Sequence, residues 1–272
     1  MKIGFIGAGN MAGAIVRGMA AGGVPGEDIL VFDIDAQKLA ALTAECGAQP
    51  CESAEALVRA ADAVVLAVKP QVFPSLLPSL KTMMNERRPL VISIAAGKTI
   101  ASIEEVLGSD LPVVRVMPNI NACVGASMSA FCGNAHVTDE HRAVVRRIFD
   151  SVGESMELAE HLFSAYSALA SCSPAYTLLY IDALAEAGVR YGIPKAQSLK
   201  IASQAVLGTA RLLQERGEHP RALADQVCSP AGTTIEGVIA LQENGFEAAV
   251  LAAARASMER DRALGQPTPG KA

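Results

Sequence analysis

Over the first half of the chain, short apolar runs rich in β-branched residues alternate with longer stretches where alanine, leucine and charged residues recur at helical spacing. A strand buried on both faces reads as a continuous apolar run, whereas a surface helix repeats its apolar positions every three or four residues. Strands are therefore predicted at 2–6, 29–33, 63–68, 90–93 and 112–117, with helices at 10–21, 36–45, 53–60, 71–80 and 99–107 between them. Alternation of this kind builds a parallel sheet sandwiched by helices. After residue 117 the pattern loosens into an extended stretch at 127–131, a helix at 138–149, and a short strand at 154–158 that would extend the sheet at one edge.

Beyond residue 160 the strand signal ends, and alanine-rich helical runs take over at 162–191, 194–216, 220–227, 233–243 and 246–264. The expected fold class is α/β: a Rossmann-type, mostly parallel sheet in residues 1–160, followed by an all-helical domain in residues 161–272. The late helices carry apolar residues on more than one face, among them Ile201, Ala202, Val206, Leu212 and Leu213. Such a surface is expected to pack on a partner chain, the alternative being a bundle packed on its own sheet. The tail at 265–270, with its glycines and prolines, is expected to fray.

Composition narrows the function classes. A formal net charge of −5 supplies no broad cationic field for nucleic acid or anionic membrane. The N-terminal segment reaches a glycine turn before a signal-peptide core could form, and no apolar run approaches the ~20 residues of a membrane helix. A soluble, cytoplasmic protein is expected. Cys46, Cys51, Cys123, Cys132, Cys172 and Cys228 are scattered, without a C-x-x-C pair or a histidine at ligand spacing, so reduced thiols and no metal site are expected.

The chemistry begins at Gly7-Ala8-Gly9-Asn10-Met11-Ala12, a G-x-G-x-x-A turn placed directly after a predicted strand and before a helix. In that setting Gly7 permits the tight turn, Gly9 lets the backbone approach a pyrophosphate, and Ala12 lets the helix pack closely on the sheet. The helix start offers free N–H groups and the positive end of its dipole to the phosphates. The second strand ends in Asp33, near the ~20-residue distance at which an acid accepts hydrogen bonds from an adenosine ribose. That leans toward NADH over NADPH. Lys38 could still reach a 2′-phosphate, although Asp35 as a helix N-cap with Lys38 as a solvated charge is an equal reading.

Ligands of open α/β sheets bind outside the carboxyl ends of the strands. Those ends carry Val68-Lys69-Pro70, Ala95-Ala96-Gly97 and Asn119 besides the glycine turn, so small residues, prolines and amides recur where a nicotinamide cofactor would lie. Ala96-Gly97-Lys98-Thr99 superficially imitates the end of a phosphate-binding P-loop, but Ile92 stands where its first glycine is required. Farther on, Ser229-Pro230 can open a helix whose first N–H groups would suit a carboxylate, and an ordinary inter-helix turn with capping hydroxyls fits the same residues.

The stretch Val227-Cys228-Ser229-Pro230-Ala231-Gly232-Thr233-Thr234-Ile235 resembles the signature segment of the Δ1-pyrroline-5-carboxylate reductase family. The segments Phe5 to Ala12, Val68-Lys69-Pro70-Gln71, Ser93 to Gly97, Arg115 to Asn119 and Ser171 to Tyr176 resemble that family in the same order. Three details depart from it: Asn119-Ile120-Asn121 stands for Asn-Thr-Pro, Ser171-Cys172-Ser173-Pro174 for Gly-Ser-Gly-Pro, and Ala231 for a frequent glycine. The resemblance implies NAD(P)H-dependent reduction of the C=N bond of a cyclic imine to L-proline, the last step of proline biosynthesis. It implies that Ser229 and the backbone near Thr233 and Thr234 bind the substrate carboxylate, with the Thr234 hydroxyl on the ring nitrogen as the catalytic contact. It also implies a homodimer through the helical domain, clefts completed between subunits, and dimers gathered into a larger ring such as a decamer.

Two other readings compete. A β-hydroxyacid dehydrogenase shares the layout but needs a helical lysine, which 171–176 lacks. A non-catalytic dinucleotide sensor would have no use for the Ser229 to Thr234 segment.

Overall fold

An eight-stranded sheet in the order β3-β2-β1-β4-β5-β6-β7-β8 organises the N-terminal part of the computed structural model, which describes residues 1–265. Its parallel strands are β1 (Ile3–Ile6), β2 (Ile29–Phe32), β3 (Gln49–Pro50), β4 (Ala63–Leu66), β5 (Leu90–Ser93) and β6 (Val113–Met117). Between them run α1 (Asn10–Ala21), α2 (Ala36–Cys46), α3 (Ala54–Ala60), α4 (Phe73–Arg87) and α5 (Ile100–Leu107). The side chains alternate as the pleat requires. Phe5, Val31, Val65 and Ile92 enter the core under α1 and α2, and Ile6, Leu30, Val64 and Val91 enter the one under α3, α4 and α5.

Two features at the sheet edges differ from the simple pattern. Only a 3-10 turn (Ile120–Val124) separates β6 from β7 (Ser127–Gly133), too little chain for a crossover, so β7 returns antiparallel. The α6 helix (Asp139–Phe149) then carries the chain over to β8 (Gly153–Glu157), parallel to β7 at the expected edge. At the opposite edge the unforeseen β3 is two residues long, and Pro50, which donates no hydrogen bond, is tolerable there.

Several boundaries move for local reasons. The β2 strand stops at Phe32 because the Asp33 carboxylate accepts from the backbone N–H of Asp35, 2.8 Å, and turns the chain. The β4 strand stops at Leu66, leaving Val68 in a loop. The α4 helix runs seven residues past the expected end at residue 80, to Arg87, with Met84 burying its side chain in that extension. The long helix expected from residue 162 is interrupted: α7 (Phe163–Tyr166) passes into a π-helical turn (Ser167–Cys172) before α8 (Ser173–Arg190). Pro174 explains the interruption. It has no N–H to give the carbonyl of Ala170, four residues back, and that carbonyl accepts instead from the Asn119 side chain at 2.9 Å.

By contacts the described residues divide into two compact units, Met1–Ser171 together with residues 258–265, and Cys172–Ser257. The second unit is wholly helical, with α8, α9 (Lys195–Arg216), α10 (Pro220–Val227), α11 (Thr233–Glu243) and the first part of α12 (Phe246–Gly265). Within it the Tyr176 hydroxyl on α8 hydrogen-bonds Ser257 on α12, and Tyr180 packs on Phe246 with ring centres 6.1 Å apart. Only Ala185, Ser198 and Ala202 of this unit are buried. The expected frayed tail lies outside the described residues from Gln266 on, while the backbone of Gly265 still belongs to α12. Among the described residues no helix is long and apolar enough to cross a membrane.

Candidate active site

The strand order reverses between β1 and β4, and the loops that leave their carboxyl ends part there. Gly7 takes the first turn with φ of +110°, a conformation L side chains rarely adopt, and a Cβ on it would stand 2.7 Å from the Ala67 carbonyl oxygen. A Cβ on Gly9 would meet nothing within 4 Å, so the space over the start of α1 is open. Gly9 is the N-cap of α1 and brings no side-chain acceptor, so no side chain caps the first turn at Asn10 and Met11. An open space over uncapped N–H groups at the positive end of a helix is a cradle for a diphosphate.

Asp33 stands beside this cradle and holds it. One carboxylate oxygen accepts the Ala8 backbone N–H at 2.6 Å while the other accepts that of Asp35 at 2.8 Å. The next acid, Asp35, caps α2 by accepting from the N–H groups of Gln37 and Lys38, 3.1 and 3.2 Å, and pairs with the Lys38 ammonium at 2.9 Å. The Lys38 hydrogen bond pulls the Asp35 pKa below the ordinary carboxylate value, and the same bond raises that of Lys38. Asp35 is thus the helix cap, and Lys38 is already paired. A cavity of about 380 Å³ opens here, bringing together Gly7, Gly9, Asp33, Val68 and Lys69 of the expected residues, with Asp35 and Lys38 also at its wall. Its apolar wall is formed by Ile34, Val72 and Leu76. Sequence reasoning missed that wall. Its signal was an isoleucine between two aspartates, and Ile34 is 93 % exposed.

Of the other expected cofactor residues, Asn10 and Met11 open α1 behind the Ala8 turn, while Pro70, Ala95, Ala96, Gly97 and Asn119 lie outside that cavity, beyond the ends of β4, β5 and β6. Pro70 opens a 3-10 turn after β4, and Ala95 is buried while Ala96 and Gly97 are exposed after β5. Thr99 caps α5 by accepting from Ser102 N–H, and Lys98 lies over the Phe73 ring, 5.8 Å from its centre, so this loop has no P-loop architecture. Asn119, after β6, is buried and has its amide occupied: its oxygen accepts from Asn121 N–H and its nitrogen donates to Ala170.

In the helical unit, the turn between α10 and α11 corrects one expectation. Ser229-Pro230 does not open the helix, because Ala231 adopts φ of +55° and Gly232 is extended; α11 starts at Thr233. Gly232 is the N-cap and supplies no capping side chain, so no side chain caps the turn at Thr233 and Thr234. Ser229 folds back over this start: a Cβ on Gly232 would stand 2.2 Å from the Ser229 hydroxyl oxygen. Ser229, Thr233 and Thr234 are all exposed. The arrangement offers a hydroxyl and uncapped N–H groups to a carboxylate, by the same physics as the glycine cradle. Among the described residues no three histidines, cysteines or acids converge to hold a metal ion, and the six cysteines are unpaired.

Comparison with known proteins covers both units. Residues 160–264 match the family described as pyrroline-5-carboxylate reductase dimerisation, and residues 2–97 match the one described as NADP oxidoreductase coenzyme F420-dependent. The chain is 43 % identical to the pyrroline-5-carboxylate reductase of Escherichia coli over 97 % of its own length and 98 % of that protein's. Among solved structures, a pyrroline-5-carboxylate reductase from Coxiella burnetii superposes with a TM-score of 0.94 at 32 % identity, covering 98 % of this chain and 99 % of that one. The Plasmodium falciparum pyrroline carboxylate reductase, solved with NADP bound, gives 0.86 at 30 % identity over 98 % of each chain. With a glycine cradle in one unit, an uncapped Thr233-Thr234 helix start in the other and relatives matched end to end, the chain belongs to the pyrroline-5-carboxylate reductase family.

Proposed function

We propose that this chain reduces the C=N bond of Δ1-pyrroline-5-carboxylate with NAD(P)H to give L-proline, the last step of proline biosynthesis, in the cytoplasm. The observation that carries the reading is the pairing, in one chain, of two helix starts without capping side chains: α1 behind Gly7 and Gly9, and α11 behind Ser229 and Gly232. One suits a diphosphate and the other a carboxylate.

Residues Gly7 to Met11 present the backbone to the diphosphate, with the loops at Val68-Lys69-Pro70, Ala95-Ala96-Gly97 and Asn119 forming the rim that holds the nicotinamide. The fit is good where a Cβ would close the turn at Gly7 and where the space over Gly9 is clear. When bound, the reduced nicotinamide supplies a hydride from its C4 to the imine carbon. The Ser229 hydroxyl and the N–H groups of Thr233 and Thr234 hold the imine's carboxylate. The Thr234 hydroxyl meets the ring nitrogen, which carries a proton in the electrophilic form and keeps it as the amine forms. Positioning does most of the work, because a protonated imine is already electrophilic.

In this reading residues 1–160 serve the dinucleotide, and residues 161–272 serve the substrate and join two chains into a homodimer. The exposure of Leu178, Leu179, Ile201, Leu207 and Leu251, in a unit with three buried residues, supports the dimer. Light scattering at micromolar concentration is expected to give at least twice the mass of the 28.2 kDa chain, and it also reads any assembly of dimers into a decamer. The catalytic role is tested with Thr234→Ala, expected to lose ~1–3 kcal/mol of transition-state binding in kcat/KM. A variant as efficient as the parent would remove Thr234 from the mechanism.

A further inference from the structure

We propose that Asp33 and Asp35 together make this chain select NADH over NADPH, a conclusion that rests on the reductase reading and refines its cofactor. Asp33 is not a free-swinging acid: the Ala8 and Asp35 backbone N–H groups take one site on each carboxylate oxygen and fix its plane beside the cavity. Each oxygen keeps a further lone pair, so the carboxylate can accept from both hydroxyls of an adenosine ribose without giving up either backbone bond. The apolar wall of Ile34, Val72 and Leu76 is suited to an adenine ring in the same cavity.

A 2′-phosphate brought to that ribose adds nearly two negative charges beside a carboxylate already held in place. Lys38, at the start of α2, lines the same cavity, and its ammonium pairs with Asp35 at 2.9 Å. Asp35 is itself held there as the α2 cap, by the N–H groups of Gln37 and Lys38. Lys69 enters the cavity from the loop after β4, on the opposite side of the switch point from β2. The site therefore offers a fixed ribose acceptor, beside which Lys38 is paired with Asp35.

Calorimetric titration of the purified protein with NADH and with NADPH, in the absence of imine, tests the proposal independently of turnover. NADH is expected to bind at least tenfold more tightly. Asp33→Asn, which keeps the shape and loses the charge, is expected to narrow that ratio at least tenfold, even if the loosened Ala8 turn weakens both cofactors. Asp35→Asn, which frees Lys38, is expected to narrow it as well. Lys38→Ala and Lys69→Ala are expected to change the two affinities in parallel. Equal or tighter binding of NADPH by the parent protein overturns the proposal, as does a selective loss of NADPH on removing either lysine. Clear NADH binding with no imine-dependent oxidation would instead strike the reductase reading and leave the selectivity standing.

Discussion

Ala231 holds φ of +55° immediately before an N-cap glycine, in a turn whose shape sets the Ser229 hydroxyl over the start of α11. A left-handed L residue costs roughly 1–2 kcal/mol, of which the entropy lost by a more flexible unfolded chain returns part. Ala231→Gly is therefore expected to raise the melting temperature slightly, by about 0.5–1 kcal/mol of stability. A lower melting temperature would mean that the turn is not strained. The sequence shows a small residue here, but it does not show a backbone angle, which is why the segment reads equally well as a helix opened by Pro230. Asp33 was likewise legible as a ribose acceptor from its place after a strand, whereas its hold on Ala8, a contact across 25 residues, was not.

Among the elements, the π-helical turn between α7 and α8 has a cause that spans the fold. Pro174 withholds a hydrogen bond, and Asn119, from the end of β6, supplies one to the stranded Ala170 carbonyl. Asn119→Ala leaves that carbonyl and the Asn121 N–H without their buried partner, an expected loss of ~1–3 kcal/mol in a denaturant titration. An unchanged midpoint would show that solvent serves both groups equally well. The strands at 2–6 and 90–93 were readable because continuous apolar runs admit little else, and the helix expected at 138–149 is α6, with Thr138 as its N-cap. The direction of β7 was less so: it follows from the length of the connection, not from any residue's preference. For the interruption at 167–172 the sequence carries the local half of the cause, Pro174, but not the partner 51 residues away that takes up the Ala170 carbonyl.

For the whole molecule, the N-terminal unit buries an apolar layer on each face of its sheet, while the helical unit buries almost nothing by itself. A domain with so little core draws its stability from association, so its unfolding midpoint is expected to rise with protein concentration. A midpoint independent of concentration over two decades would contradict the dimer. The dinucleotide half of the function was legible from the glycine turn and its setting alone. The substrate half came through resemblance in the Ser229 to Thr234 segment, because an uncapped helix start names a class of ligand, an anion, and not the molecule that carries it. The most direct measurement of the central claim is the oxidation of NADH or NADPH by the purified protein with Δ1-pyrroline-5-carboxylate, followed at the nicotinamide absorbance with chiral analysis of the product. Oxidation that depends on the imine and yields one L-proline per cofactor consumed is expected; binding of the cofactor with no imine-dependent turnover in a fully assembled protein would contradict the reductase reading.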